Sequence, residues 1–179
     1  LELGKQGRLQ IILDNAGAHG DSKSMETAFE RKFKYVAPDN TAIYRGKFKA
    51  LAHSKVFIQI KNNKAVKVLT GSTNFSTNGL YINSNHVLIF SDNKIATLYQ
   101  DVFDASFGET NMKSFYGSSW STGEFTFAGN STPKMTITFA PHTRDAAQTI
   151  FDRIRKRILV ASNTDVLFAI MKDTNASAI

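Results

Sequence analysis

From residue 53 to residue 90 the chain reads HSKVFIQIKNNKAVKVLTGSTNFSTNGLYINSNHVLIF, and the rest of the sequence is best understood from this segment outward. Three apolar runs, at residues 56–60, 65–69 and 87–90, are short, rich in β-branched side chains and typical of strands. The polar tetrapeptide Lys61-Asn62-Asn63-Lys64 joins the first two runs and predicts the tip of a hairpin. The segment therefore predicts a group of strands with polar residues at their ends.

Two basic side chains, His53 and Lys55, stand two positions apart at the start of this segment. Because side chains in a β-strand repeat with period two, an extended strand presents both on one face. An imidazole can attack phosphorus, and an ammonium can hold phosphoryl oxygens. Further along, Gly71-Ser72-Thr73-Asn74 forms a turn that offers a hydroxyl, a carboxamide and backbone N–H groups to an oxyanion. These residue types in this order predict a phosphate-ester site.

The pattern His-x-Lys followed by Gly-Ser-x-Asn resembles the signature of the phospholipase D superfamily, and Gly79-Leu80 and the residues around Asn85 extend the resemblance. The resemblance implies an α/β fold with a mixed, mostly parallel sheet flanked by helices. It also implies a phosphodiesterase that works without metal or cofactor. The expected chemistry is covalent catalysis through a phosphohistidine, flanked by general acid–base steps.

Carried onto this chain, the resemblance implies a role for each matching residue. His53 is the expected nucleophile and Lys55 the group that stabilises phosphate charge. Ser72 and Asn74 are the expected oxyanion and orientation donors. Gly71 and Asn85 are expected to support them.

Two positions depart from the family pattern. Ile60 stands where the family usually has an aspartate, and Asn85 stands where an acidic residue often orients a histidine. A complete site in this family also uses a second histidine from a second motif, of which this chain has no visible copy. We expect that histidine to come from the remainder of a longer protein, or from an identical subunit in a homodimer.

The other elements follow from periodicity and capping signals. Strands are predicted at residues 8–14, 41–44, 135–140 and 166–171, and a helix at residues 22–34. Asp92 is expected to cap a second helix, and Asp145 with Gln148 to open a third. In that third helix Ile150, Ile154 and Ile158 are expected to face the core.

Three regions are predicted. Residues 1–107 resemble the later part of a phospholipase D-like domain, residues 108–132 are a connector rich in Gly, Ser and Thr, and residues 133–179 resemble the opening of a second such domain. Trp120, Phe125 and Phe127 indicate that part of the connector packs. The chain is expected to be a fragment in which residues 133–179 complete the first sheet, either within one chain or by strand exchange between two chains.

Composition limits the class of protein. With 179 residues, 42% of them hydrophobic, the chain can bury a core, and zero cysteines exclude disulfides and thiolate metal sites. The net charge of +7 favours polyanionic partners such as nucleic acid or an anionic membrane surface. Basic residues cluster at Arg153, Arg155, Lys156 and Arg157 and at Lys32, Lys34, Arg45, Lys47 and Lys49. Each cluster is either an ordinary solvated surface or part of an anion-binding surface.

Three functions remain open at this level. The first is a metal-independent phosphodiesterase, with nucleic acid slightly favoured as its substrate. The second is a phospholipase D or phosphatidyl transferase acting on lipid, which predicts an exposed apolar rim, and the third is a silent phosphate-binding module. His19, His86 and His142 are interpreted as structural residues. We expect a bacterial protein, cytoplasmic or secreted.

Overall fold

The computed structural model describes residues 1–46, 53–107, 115–129, 132–161 and Asp165. The chain divides into two compact units, residues 1–115 with 126–135, and residues 116–125 with 136–179. The helices are α1 (Glu2–Lys5), α2 (Met25–Val36), α3 (Thr77–Tyr81), α4 (Asn93–Ser106), α5 (Ser119–Thr122) and α6 (Arg144–Leu159). The strands are β1 (Ile11–Asp14), β2 (Ile43–Gly46), β3 (Val56–Lys61), β4 (Lys64–Gly71), β5 (Val87–Phe90), β6 (Phe125–Phe127) and β7 (Met135–Ile137). In this described part of the chain, no helix combines the length and the apolar character needed to cross a bilayer.

The first unit begins with a parallel pair of strands and the helix between them. β1 and β2 pair in parallel, with Ile11 opposite Ile43. The N-cap of the connecting helix α2 is Ser24, whose hydroxyl accepts a hydrogen bond from the Thr27 backbone N–H at 3.1 Å. On α2 the Phe33 side chain is fully buried. The two predicted strands and the predicted helix are confirmed, with bounds shifted by up to three residues.

A second sheet has the order β3-β4-β5, and both of its pairings are antiparallel. The predicted hairpin tip is confirmed, because Asn62 (φ 51°) and Asn63 (φ 58°) both adopt the left-handed conformation that a two-residue turn requires. So short a turn reverses the chain and forces antiparallel pairing. The expectation of a mostly parallel sheet is therefore not confirmed: this three-stranded sheet is antiparallel throughout, and the parallel pair β1–β2 forms a separate sheet.

Helix α4 covers one face of this sheet, and apolar side chains are buried between them. The Asp92 carboxylate accepts hydrogen bonds from the backbone N–H groups of Lys94, at 2.8 Å, and Ile95, at 3.1 Å, which confirms the predicted cap. Ile95 of the helix and Val68 of β4 are both fully buried. By burying this face, α4 fixes β4, the central strand of the sheet.

In the second unit the expected packing of connector aromatics is confirmed. The rings of Trp120 and Phe125 stack with centroids 5.8 Å apart, and Phe125 lies 6.0 Å from the Phe139 ring. The His142 Nδ1 atom lies 2.6 Å from the Ser121 carbonyl oxygen. These contacts join the start of this unit to the residues that precede α6. Strand β7 occupies the beginning of the strand predicted at residues 135–140.

Two expectations about α6 are wrong. Its N-cap is Thr143, whose hydroxyl accepts from the Ala146 N–H, whereas Gln148 donates to Asp152 one turn further along. Ile154 and Ile158 do not face a core, since 44% and 38% of their surfaces are exposed. Periodicity shows only that these side chains share a helix face, and packing decides whether that face is covered. The strand predicted at residues 166–171 lies outside the described residues.

Candidate functional site

Three strand ends meet at one edge of the antiparallel sheet. Val56, the first residue of β3, pairs with Thr70 near the end of β4. Gly71, the last residue of β4, pairs with Val87, the first of β5. The segments that hold the predicted site residues therefore adjoin the same edge.

His53 and Lys55 lie in the segment directly before β3, not within a strand as the period-two argument assumed. His53 is exposed and Lys55 is half-buried. The Lys55 ammonium donates to the His53 carbonyl oxygen at 2.6 Å, which uses one of its three N–H donors. Burial disfavours the charged form and lowers the pKa of Lys55 below its ordinary value. The lysine is thus held next to the predicted nucleophile, with donors left for an anion.

Gly71 occupies a position that only glycine fits. Its φ of +150° is one that other residues rarely adopt, and an added Cβ would collide with the His86 carbonyl oxygen. Directly after it, the Ser72 backbone N–H donates to that same carbonyl at 3.1 Å. Because Gly71 has no side chain, the backbone at the end of β4 can pass close to His86, the residue directly before β5.

The Ser72 hydroxyl lies between Asn85 and His86. Its oxygen is 3.1 Å from Asn85 Oδ1 and 3.3 Å from His86 Nδ1, and it accepts from the His86 backbone N–H at 3.2 Å. The neighbouring Thr73 hydroxyl donates to the His86 carbonyl at 3.1 Å. The Ser-x-Asn turn and the two residues before β5 therefore form one hydrogen-bonded cluster.

The cluster is anchored at its far side by α3. Asn85 Nδ2 donates to the Gly79 carbonyl at 2.9 Å, and the Gly79 N–H donates to the Ser76 hydroxyl that caps this helix. A Cβ at Gly79 would strike the Asn74 carbonyl oxygen, so glycine permits the close approach of α3 to the turn. The Asn74 side chain itself is exposed.

The structure brings the ring of His86, interpreted from the sequence as a structural residue, to 3.3 Å from the Ser72 hydroxyl. Strand order accounts for this contact, because residues that follow one antiparallel strand face those that precede the next. His19 and His142 fit the structural interpretation: His19 Nδ1 lies 2.8 Å from a Glu26 carboxylate oxygen, and His142 contacts the Ser121 carbonyl.

Some members of the two basic clusters form ion pairs within the protein. Arg45 pairs with Glu30 at 3.0 Å and donates to the Asp14 carbonyl at 3.1 Å, with only 11% of its side chain exposed, so it stabilises the β1–α2–β2 segment. Burial raises the pKa of Glu30, but Lys34 and Arg45 outweigh burial and the net shift is downward. Arg153 pairs with Glu124. Lys47 and Lys49 lie outside the described residues.

Apolar side chains are exposed beside the turn. Phe75, directly after Asn74, is 48% exposed, and its ring meets that of Phe57 edge-on with centroids 4.6 Å apart. Phe57 is itself 57% exposed. Leu80, Tyr81 and Ile82, at the end of α3, are also exposed. We call these five residues the apolar rim.

Comparison with known proteins agrees with the motif assignment. A family model described as "Cardiolipin synthase, PLD-like domain" matches residues 2–107, which is more than half of the chain. No curated protein and no solved structure matches the chain. Proteins with PLD-like domains are generally enzymes that handle phosphodiesters. The chain therefore belongs to the phospholipase D superfamily.

Proposed function

We propose that the protein catalyses phosphodiester hydrolysis or transfer through a covalent phosphohistidine on His53. The observation that carries the proposal is the common edge of the sheet. His53 and Lys55 enter β3 at this edge, and the Gly71–Asn74 turn leaves β4 there. A phosphate group at the edge would meet a nucleophile, a cation and amide donors together. Membership of a family that handles phosphodiesters supports the same chemistry.

In the proposed reaction Lys55 and the turn bind the nonbridging phosphate oxygens. An imidazole nitrogen of His53 forms a bond to phosphorus while the bond from phosphorus to the leaving oxygen breaks, and that oxygen takes up a proton. Water or another alcohol then attacks the phosphohistidine, loses a proton and releases His53. Lys55 offsets negative charge on the phosphoryl oxygens in both steps.

For the substrate we favour phospholipid over nucleic acid, which reverses the slight preference drawn from net charge. The reason is the apolar rim. Phe57 and Phe75 sit beside the turn with about half of their surfaces exposed, a feature that suits acyl chains better than a nucleic acid backbone. The description of the matching family as cardiolipin synthase points the same way. Nucleic acid remains the second candidate because of the net charge of +7.

The decisive experiment is hydrolysis of bis(p-nitrophenyl) phosphate in excess EDTA, comparing the protein with His53→Ala. We expect the substitution to reduce the rate by about 10⁴-fold or more, as removal of a nucleophile does in other enzymes. A brief reaction with ³²P-labelled substrate, quenched in alkali, should leave acid-labile label on the unsubstituted protein only. Equal rates for the two proteins would overturn the proposal.

The substrate class is tested by offering phosphatidylglycerol vesicles and single-stranded DNA separately under the same conditions. Release of glycerol or formation of a transferred phosphatidyl group supports the lipid assignment. Cleavage of DNA without turnover of lipid would replace it with the nuclease assignment. Phosphate binding without turnover of any diester would instead identify a silent binding module.

A further inference from the structure

The positive charge of the protein is concentrated in the sequence around the candidate site. Residues 40–91 contain the His-x-Lys segment, the turn at residues 71–74 and the whole antiparallel sheet. They include seven lysines and arginines and no aspartate or glutamate. The rest of the chain has 15 basic and 15 acidic residues, whose charges cancel. The entire net charge of +7 therefore belongs to the segment that forms the site and its sheet.

The antiparallel sheet has one covered face and one open face. Val68 of β4 faces α4 and is fully buried. Because side chains alternate along a strand, Lys67 and Leu69 point to the opposite face. Phe57 of β3 and Ile89 of β5 are the direct cross-strand partners of Leu69, so they share that face with it. We call this side of the sheet the outer face, and Phe57, Leu69 and Ile89 its apolar row.

The outer face is apolar near the candidate site and basic further away. The apolar row lies within two residues of the strand ends that adjoin the site. Phe57 and Ile89 are 57% and 60% exposed, and the ring of Phe75 lies against that of Phe57. Lys67 is exposed on the same face, about 7 Å further along β4 than Leu69. The apolar row thus has a cation beside it on the side away from the site.

The hairpin tip adds two more charges. Lys61 and Lys64 are direct cross-strand partners, and both are exposed. Like charges placed opposite each other in a sheet repel. Within the described part of the chain, no carboxylate forms an ion pair with Lys61, Lys64 or Lys67. These three residues, which we call the hairpin lysines, can therefore meet an external anion.

We infer that the outer face docks on an anionic phospholipid bilayer, with the apolar row in the interface and the hairpin lysines among the lipid phosphates. The interface takes up apolar side chains, and anionic headgroups attract lysines. A second copy of the chain would bring further lysines to a face that has no carboxylate to meet them. A nucleic acid would meet the lysines but leave the apolar row exposed to water.

The inference rests on the lipid form of the proposed function and adds the surface by which the protein meets its substrate. The apolar row borders the edge of the sheet where residues 53–55 and the turn at residues 71–74 lie. Docking by the outer face would therefore hold that edge beside the headgroup layer. The phosphodiesters of phospholipids lie in this layer, so the candidate site would meet them without extraction of a whole lipid.

The first test measures binding to phosphatidylglycerol vesicles by sedimentation. One variant replaces the hairpin lysines with glutamine, and the control carries Lys5→Gln, Lys23→Gln and Lys32→Gln, three exposed lysines of the same unit. Each lysine near an anionic surface strengthens binding about fivefold, so the hairpin variant should bind about 100-fold more weakly and the control less than about fivefold. The difference should vanish on phosphatidylcholine vesicles. Equal binding of the two variants to phosphatidylglycerol would overturn the inference.

A second test identifies the face that enters the interface. The chain has no cysteine, so Ile89→Cys and Tyr35→Cys each provide a single position for an environment-sensitive NBD label. On phosphatidylglycerol vesicles the label at position 89 should brighten and shift to shorter wavelength. The label at position 35, where the Tyr35 side chain is 90% exposed on α2, should not change. Binding with no change at position 89 would show that another face meets the membrane, and the inference would be wrong.

Failure of this inference is distinguishable from failure of the proposed function. Vesicle binding is also measured with His53→Ala, so it does not depend on turnover. The hairpin variant should hydrolyse bis(p-nitrophenyl) phosphate, which needs no bilayer, at the unsubstituted rate, while its turnover of vesicle lipid falls with binding. If it loses single-stranded DNA binding but keeps vesicle binding, the lysines serve a nucleic acid and the inference is wrong. Full activity of His53→Ala would refute the proposed reaction and leave the docking face standing.

Discussion

Ser72 and His86 are joined by hydrogen bonds in both directions. The Ser72 N–H donates to the His86 carbonyl at 3.1 Å, and the His86 N–H donates to the Ser72 hydroxyl at 3.2 Å. The His86 ring lies at 3.3 Å from the same hydroxyl. This mutual contact fastens the end of β4 to the start of β5. It also couples the geometry of the predicted phosphate turn to the position of an imidazole.

Replacing Gly71 with alanine tests whether this contact matters. The new Cβ would collide with the His86 carbonyl, at a φ of +150° that alanine rarely adopts. We expect a loss of stability of at least about 2 kcal/mol by urea unfolding and a large loss of diesterase activity. The matched control is Gly129→Ala, where an added Cβ meets nothing within 4 Å. It should change stability by less than about 0.5 kcal/mol, and equal effects at both positions would contradict the prediction.

The lowered pKa of Lys55 predicts that activity falls at a lower alkaline pH than an ordinary lysine would give. In the proposed reaction Lys55 must be charged to hold phosphate, so kcat/KM should fall as pH rises through a value below the ordinary lysine pKa of 10.5. Stability should move the other way. Since the folded pKa lies below the unfolded one, the unfolded state binds more protons between them, and stability rises with pH in that window.

Arginine substitutions test whether Lys55 causes this alkaline fall in kcat/KM. Arginine stays charged at all relevant pH values, so Lys55→Arg should move the fall in kcat/KM to higher pH even if its maximum drops. Lys67→Arg, at an exposed position of β4, is the control and should leave the profile where it was. An alkaline limb that Lys55→Arg does not move would belong to another group.

Asp92 is predicted to stabilise α4 as its N-cap. Asp92→Ala should cost about 1 kcal/mol of unfolding free energy, whereas Asp92→Asn keeps an accepting oxygen and should cost less. The Ile95 N–H bond lowers the pKa of Asp92, and the stability that this carboxylate contributes is lost as pH falls through the folded value. Thermal melts between pH 7 and about pH 2 should therefore show a smaller acid loss for Asp92→Asn than for the unsubstituted protein.

The apolar rim predicts binding to lipid surfaces. Phe75→Ser removes a half-exposed ring and its edge contact with Phe57, so binding to phosphatidylglycerol vesicles, measured by sedimentation, should weaken by about tenfold. Tyr35→Ser removes an even more exposed ring, at the end of α2, and is the control. Equal weakening by both substitutions would indicate non-specific adsorption.

Much of the local structure could be read from residue pattern. The hairpin between β3 and β4 needed only two apolar runs and a pair of asparagines that tolerate positive φ. The start of α4 needed only an aspartate that can accept from the next backbone N–H groups. Such features depend on residues close in sequence, and their energetics are local. The residues of the motif were likewise visible, because their chemical types and order are specific.

Contacts between distant residues were not visible. Whether Ile154 faces a core depends on what lies against α6, and the pairing of Arg45 with Glu30 depends on how α2 lies against β2. The contact between His86 and Ser72 depends on the register of β5 against β4, which no single segment encodes. Residue pattern thus specified the strands other than β6, the hairpin turn and the His-x-Lys motif of this protein. Tertiary packing alone determined that Ser72, Asn85 and His86 meet, because their contact requires two antiparallel pairings and a close backbone approach at Gly71.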